Sequence, residues 1–305
     1  MRESGQMKIK HYFFIFNLFP RKISSYTPYL LVAPALIYLF IFIGYPLVQA
    51  IVLAFQDPST GSLSLTNFET LFKDAYFWDA LKYTFILALI IIPLQTLLAL
   101  SVALFLNMKF KGANVVLYTF TIPLTISDVA AALIWYNMLT TSGFLNRLLL
   151  NLGVIKEPVY FFGYVYRHME LLAIVVTEIW RATAIVFVIV FAGLQLIGRD
   201  YLEAAEVCGA SVLQRLRYIV LPLIKPSIQA ALIIRTLFAL QVYAVVWILA
   251  GRDIPILAGE AYYWMSELYN PHIAATYSLL IAFFSILIGW FYIKLLKPKY
   301  EEVLR

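Results

Sequence analysis

Charge is scarce in this sequence. Asp, Glu, Lys and Arg make up 13% of its 305 residues while 63% are hydrophobic, against about a quarter charged in a soluble domain. One water-facing core cannot hide that much apolar surface, so a soluble globular chain is excluded and a bilayer is the natural solvent. Cysteine is almost absent: Cys208 stands alone, which rules out an internal disulfide and a cysteine-built metal cage. Histidine is sparse as well. His11, His168 and His272 are scattered near expected membrane edges and read as interfacial polar residues, not metal ligands. No GxxxxGK[ST] occurs among the 13 glycines, so no loop of that kind cradles ATP phosphates. No loop concentrates basic residues into a stripe, which argues against a nucleic-acid partner. Neither an internal repeat nor a low-complexity tract is visible.

Long apolar runs are what the chain has instead. Six reach the roughly 20 residues needed to cross hydrocarbon: Tyr29–Ala54, Ala80–Leu106, Asn114–Leu139, Met169–Ile197, Tyr218–Ala250 and Ile273–Leu296. Short alternating segments would mark a β-barrel; continuous runs predict helices, hence an all-α polytopic membrane protein. With the amino terminus inside, the inner segments hold 14 Lys/Arg and the outer ones six. That bias places both termini in the cytoplasm of a cell-membrane protein. Residues 1–28 then form a cytoplasmic segment, 29–297 the six-helix domain, and 298–305 a cytoplasmic tail. The start, basic and then aromatic, lacks a small-residue cleavage site and reads as a retained segment, not a removable signal.

The connections differ in character. Gln56–Asp79 carries DPSTGS turn chemistry and reads as an outer loop. In the second outer stretch, Phe144–Leu150 has the pattern of a short amphipathic surface helix. Pro34, Pro46, Pro93 and Pro123 fall in or near spans, where each removes a backbone donor and favours a kink. Asn107–Ala113 is a minimal basic turn, whereas 198–217 is a structured insert.

That insert is the most informative segment. In Arg199–Leu216, Leu202, Ala205, Gly209, Val212, Leu213 and Leu216 recur at three- and four-residue steps, predicting one helical face. Glu203, Glu206, Ser211, Gln214 and Arg215 occupy the other. The helix is expected to break at Leu221-Pro222, where the chain re-enters the membrane. Its acidic residues precede its basic ones, which suits a protein partner better than lipid headgroups.

The residues Glu203-Ala204-Ala205, Gly209, Ile219 and Leu221-Pro222 reproduce, at every spacing, the cytoplasmic loop pattern of permeases of binding-protein-dependent ATP-binding-cassette importers. The chain resembles the carbohydrate branch of that family, and within it the first permease subunit of maltose- and trehalose-type systems. The resemblance extends over Leu31–Pro46, Asn67-Phe68, Phe77-Trp78, Ala131–Trp135, Gly143–Asn146, Ile179-Trp180 and Ala192–Gln195. Cys208 departs from the pattern where an Asp is common, Leu216 where an aromatic is common, and Gly251–Pro255 where a glycine-rich turn is common. The resemblance implies a type I importer permease that works with a second permease subunit, two ATPase subunits that bind ATP and Mg, and an external solute-binding protein. The chain itself would carry no cofactor and no catalytic site. The loop, seated in an ATPase cleft, would be the coupling element, with Gly209 allowing close approach and Glu203 a polar contact.

A solute path belongs where polar groups penetrate the bilayer, because charge there is expensive without a purpose or partner. Glu178 and Arg181 in the fourth span and Arg235 in the fifth qualify. Glu178 and Gln241 lie about 13 Å from the expected outer ends of their helices and Arg235 about 9 Å deeper. In maltose-type permeases the sugar site uses the corresponding helices; alignment on Trp180 and Leu221-Pro222 maps its positions to Glu178, Ala182, Ile185, Arg235, Phe238, Ala239 and Val242. Two readings stay open for the charges: Glu178 and Arg235 bond solute hydroxyls, beside a flat face from Phe238, or Glu178 and Arg235, or Glu178 and Arg181, neutralise each other to hold the bundle. Tyr262-Tyr263-Trp264 reads as interfacial belt or docking surface. A secondary transporter would explain six helices and buried charges but not the loop pattern, and no residue cluster in the spans supports an intramembrane enzyme. Amino-acid, phosphate and metal importers share the loop pattern; the first- and fourth-helix resemblances point to carbohydrate.

Overall fold

Helix dominates because a backbone crossing hydrocarbon must satisfy its own donors and acceptors. The computed structural model describes residues 26–108 and 110–296. The expected amino-terminal segment up to residue 25, Lys109 and the tail 298–305 lie outside the described residues. By compactness the chain forms two units, divided between Val52 and Leu53. Five helices are long and apolar enough to cross a membrane, and there are six such segments if the bent pair Ala113–Thr125 and Asp128–Asn151 counts as one span.

The first crossing runs from Thr27 to Phe55 as α1 (Thr27–Leu39), a π-helical turn at Phe40–Gly44, and α2 (Tyr45–Phe55). The π turn has a cause. The Tyr45 amide bonds the Phe40 carbonyl, and Pro46 follows at once. A proline ring collides with the carbonyl four residues back, and one wider turn relieves that collision without breaking the helix.

The second unit contains the remaining crossings. The outer loop expected after the first span contains a helix, α3 (Thr66–Lys73), tied down by Asn67, which donates to the carbonyls of Ala54 and Gln56. Next comes α4 (Ala75–Asn107), capped by Asp74. The third run is not one straight helix. It is α5 (Ala113–Thr121), a 3-10 turn at Ile122–Thr125 and α6 (Asp128–Leu139), bent by 104°. Pro123 removes an amide within the turn, and Ser127 restarts the helix by accepting from the Ala130 amide. Helix α7 (Phe144–Asn151) matches the predicted amphipathic segment. The fourth crossing, α8 (Arg167–Gln195), packs along α4 and carries much of the core.

The motif segment departs from the expected single helix. It forms α9 (Arg199–Val207) and α10 (Val212–Arg215), broken at Cys208–Ala210. No break occurs at Leu221-Pro222: α10 passes through a second π turn, Leu216–Val220, into α11 (Leu221–Leu240). Leu221 bonds the Leu216 carbonyl and Pro222 follows, as at Tyr45-Pro46. The fifth run likewise stops short of Ala250. After α11 the chain turns at Gln241–Tyr243, and α12 (Ala244–Ala250) docks on α6 and α8. An apolar run reads the same whether it crosses the membrane or folds back into a buried groove. Helices α13 (Leu257–Ser266) and α14 (Pro271–Leu295) are the last among the described residues and pack on each other.

Helices α4, α8 and α11 form the centre. Gly193 on α8 makes the approach of α8 to α11 possible: a Cβ there would lie 2.6 Å from the Cβ of Ser227 on α11. Small residues at such crossings let membrane helices gain van der Waals contact that larger ones forbid.

Candidate functional site: a capped loop and a buried charge relay

The motif loop is shaped by its own caps. Gly209 adopts φ +79°, the left-handed conformation that a Cβ disfavours. The Gly209 amide bonds Glu206 and the Ala210 amide bonds Ala205, which is the paired-bond C-terminal cap that ends a helix sharply. Ser211 then opens α10 with a capping box to Gln214. Arg215 reaches back to Glu206 at 2.9 Å and staples the two arms. Of the pattern residues, Glu203, Ala204, Gly209 and Pro222 are exposed, whereas Ala205, Ile219 and Leu221 are half-buried. The loop and the ends of α4, α5 and α8 enclose a cavity of about 980 Å³, lined among others by Phe110, Leu117, Phe191, Glu203 and Glu206.

The charges that the sequence placed in the fourth and fifth spans meet in the middle of the bundle. Arg235 on α11 donates through Nη2 to Glu178 Oε2 on α8 at 2.6 Å, and both side chains are essentially inaccessible. Arg235 Nε donates to Gln95 on α4. Gln95 donates to the Glu178 backbone carbonyl at 2.6 Å. The other Glu178 oxygen accepts from Arg181 at 3.2 Å, and Arg181 continues to Asp128 Oδ1 on α6 at 2.7 Å. Five side chains thus tie four helices together, with two cations against two anions. A buried ion pair is tolerated when its geometry is good and its remaining donors and acceptors are met, and removing one member leaves a bare buried charge. Of the two readings left open for Glu178 and Arg235, this geometry favours mutual neutralisation.

Other expected path residues separate. Ala182, Ala239 and Val242 are buried within the chain, Ile185 is half-buried, and Phe238 and Gln241 are exposed. The Tyr262–Trp264 triplet divides three ways. Tyr262 joins Tyr243 with ring centres 4.9 Å apart, Tyr263 covers Arg252, and Trp264 backs onto the core formed by Phe77 and Leu257. Gln95 and Asp128 were missed. Both carried a signal: an amide two residues after Pro93 inside an apolar run, and a carboxylate after Ser127 in another.

Against this geometry, the profile of the family described as "Binding-protein-dependent transport system inner membrane component" matches residues 78–300. The chain belongs to this family. It is an inner-membrane permease component with several membrane crossings. A trehalose/maltose transport system permease, MalF of Thermococcus litoralis, is 32% identical over 229 residues, covering 73% of this chain and 76% of the relative. A trehalose transport system permease, SugA of Mycobacterium tuberculosis, is 31% identical over 231 residues, covering 73% of this chain and 72% of the relative. Among solved structures, a chain of a bacterial ABC transporter that imports the acidic polysaccharide alginate superposes with a TM-score of 0.77 at 24% identity. That superposition covers 91% of this permease and 97% of the other chain. The likeness establishes the type I permease fold.

Proposed function

We propose that this permease is one of two membrane subunits of an ATP-driven importer for a small uncharged sugar, coupled to a separate ATPase through residues 199–226. The carrying observation is the loop itself: every pattern residue is present, and Glu203, Ala204 and Gly209 stand exposed on a self-capped turn. Such a turn can seat in a cleft without losing its shape. The second arm of the turn is continuous with α11, one helix from Val212 to Leu240. Arg235 lies 23 residues along it, about 35 Å from the loop, so displacement of the seated turn reaches the buried relay through a single rigid rod. Closure of two ATPases would then shift the bundle between two packed arrangements.

ATP and Mg belong to the partner ATPase subunits, since the sequence has no phosphate-cradling loop of the GxxxxGK[ST] kind. The remaining partners are a second permease, an external solute-binding protein and the bilayer, with both termini and the 198–217 loop in the cytoplasm. Phe238, Gln241 and Ile185 are the accessible members of the expected solute path, whereas Glu178 and Arg235 hold the helices that carry it. Sugar as the solute class rests on the trehalose and maltose permeases among the relatives.

The test is an affinity purification of the tagged chain from detergent-solubilised native membranes. An ATPase subunit and a second permease are expected to co-purify, and Gly209→Arg is expected to abolish ATPase recovery while the second permease stays bound. A chain recovered alone, under conditions that preserve known complexes, would overturn the assembly proposed here.

A further inference from the structure

The buried relay does not end in the bundle. Its last member, Asp128, has a side chain that is 49% exposed, while Arg181 beside it is 14% exposed and Glu178 is fully covered. Arg181 is the central residue of the 29-residue α8, so this ion pair sits near the middle of a crossing. A half-exposed carboxylate at that depth faces either water or a protein surface, because lipid would not tolerate it.

Two donors beside it are unused. Arg181 spends Nη1 on Asp128 and Nη2 on Glu178, but its buried Nε has no hydrogen-bond partner, and neither does the buried indole Nε1 of Trp135. The two belong to one seam. Asp128 and Trp135 are seven residues apart on α6, hence on the same face. That face meets adjacent residues of α8: Asp128 contacts Arg181, and the Trp135 ring lies 6.1 Å edge-on from Trp180. Buried donors are nearly always satisfied, and orphaned ones in a native fold call for a missing water or ligand. An indole, an arginine edge and a half-free carboxylate, strung along about two turns of α6, supply an apolar surface, donors and an acceptor. A sugar ring, apolar on its faces and hydroxylated at its rim, needs those three things.

We propose that Asp128, Arg181 and Trp135 form a solute-binding station for an uncharged sugar, distinct from the Glu178–Arg235–Gln95 knot that only supports it. The proposal rests on the importer reading above and deepens it. Charge sets the class. Arg181 and Arg235 are balanced by Asp128 and Glu178, so an added uronate would meet no uncompensated cation within the relay. The hydroxyl rim of a neutral sugar instead takes the two orphaned donors and gives a proton to the Asp128 carboxylate. The position also suits a gate: Asp128 begins the second limb of the crossing bent by 104°, so solute held there bridges the bend to α8.

The test is uptake of radiolabelled trehalose, maltose and lactose by the complete importer, with the amount of assembled complex measured in the same membranes. Asp128→Asn is expected to raise KM about tenfold and Trp135→Phe about threefold, the loss of a charged and a neutral hydrogen bond respectively. Trp135→Phe is not expected to lower assembly; Asp128→Asn, which leaves Arg181 with Glu178 alone, is read as KM per assembled complex, and Asp128→Glu recovers most of the loss. Val129→Ala, on an exposed neighbour outside the station, leaves KM unchanged. Unaltered KM in both Asp128→Asn and Trp135→Phe overturns the station. So does a fall in assembled complex without a rise in KM, which assigns Asp128 to the contact with the second permease. Wild-type complex that carries none of the three sugars overturns the sugar reading, and the station with it.

Discussion

Between α8 and α11 the chain turns through residues 196–211 on caps closed by its own residues; between α11 and α14 it folds back through residues 241–270, where local bonds are joined by ties to distant helices. In the first turn, Gly209, Ser211 and Gln214 close bonds to residues within five positions of themselves, and the one longer tie is Arg215 to Glu206. In the second, Arg252 forks onto Glu260 at 2.9 and 3.1 Å between the rings of Tyr76 and Tyr263. Leu257 donates to Thr84, 173 residues away in sequence. A turn built on its own caps keeps its shape when nothing surrounds it, which suits a surface offered to a partner. One built on α4 and α14 moves only when those helices move, which suits a wall of the membrane domain.

That difference predicts a large effect on the second turn. Glu260 is about 2% exposed, and burial lifts its carboxyl above the usual range even with Arg252 beside it. Arg252→Met leaves that carboxylate buried and unpaired, and should destabilise the permease by about 3 kcal/mol. Arg252→Met combined with Glu260→Leu should recover most of the loss, because no bare charge remains. Unfolding of the purified complex in denaturant measures both. Additive losses in the double variant would show that the pair acts by packing and not by charge.

The same difference explains what could be read from the sequence. Local rules are written in consecutive residues: the three- and four-residue spacing over Arg199–Leu216, the amphipathic pattern of Phe144–Leu150, the apolar runs of the first, second, fourth and sixth spans. These predicted helix where helix is found. What failed depended on distant partners or on the exact site of a break. The apolar stretch to Ala250 looked like one span because nothing in it reveals that Val245 and Val246 dock on α6 and α8. Leu221-Pro222 looked like a helix end because a π turn, which absorbs a proline, leaves no compositional mark. The relay was half legible. Two opposite charges in apolar runs demanded a partner, and their pairing with each other was one of the expectations; that Gln95 and Asp128 complete the chain is a matter of packing.

A smaller effect is expected in the first turn. Gly209→Ala places a Cβ in the left-handed region at φ +79°, with no neighbouring atom within 4 Å to clash. The cost is therefore conformational alone, about 1 kcal/mol, and Ser211→Ala adds about 1 kcal/mol by removing the cap. Because both act locally, amide exchange should rise over residues 199–216 while the global unfolding midpoint barely moves. Arg252→Met should do the reverse. A shift of the global midpoint in Gly209→Ala as large as that in Arg252→Met would erase the distinction between the two turns.

Acid provides the mildest probe, and the sign of its effect differs between a capped turn and a buried tie. Asp57, in the turn after α2, has its carboxyl held at about 2, against 3.8 for a free group, by the Ser59 hydroxyl and the Ser59 and Thr60 amides. A depressed carboxyl contributes its stabilisation above the unfolded value and loses it as pH falls through the folded one. Protection of the amides of residues 57–64 should therefore hold at pH 5 and fade between about 4 and 2. Glu260 is displaced upward, so its contribution runs the other way: it is complete below the unfolded value and declines as pH rises through the folded one. Acidification thus loosens the first of these elements while favouring the protonated form of the second. Hydrogen exchange from pH 6 to 2.5 separates them, and Asp57→Asn should flatten the response of residues 57–64 alone. Equal fading of both segments, or a flat response in the wild type down to pH 2, would mean that the capping bonds to Asp57 do not set the shape of its turn.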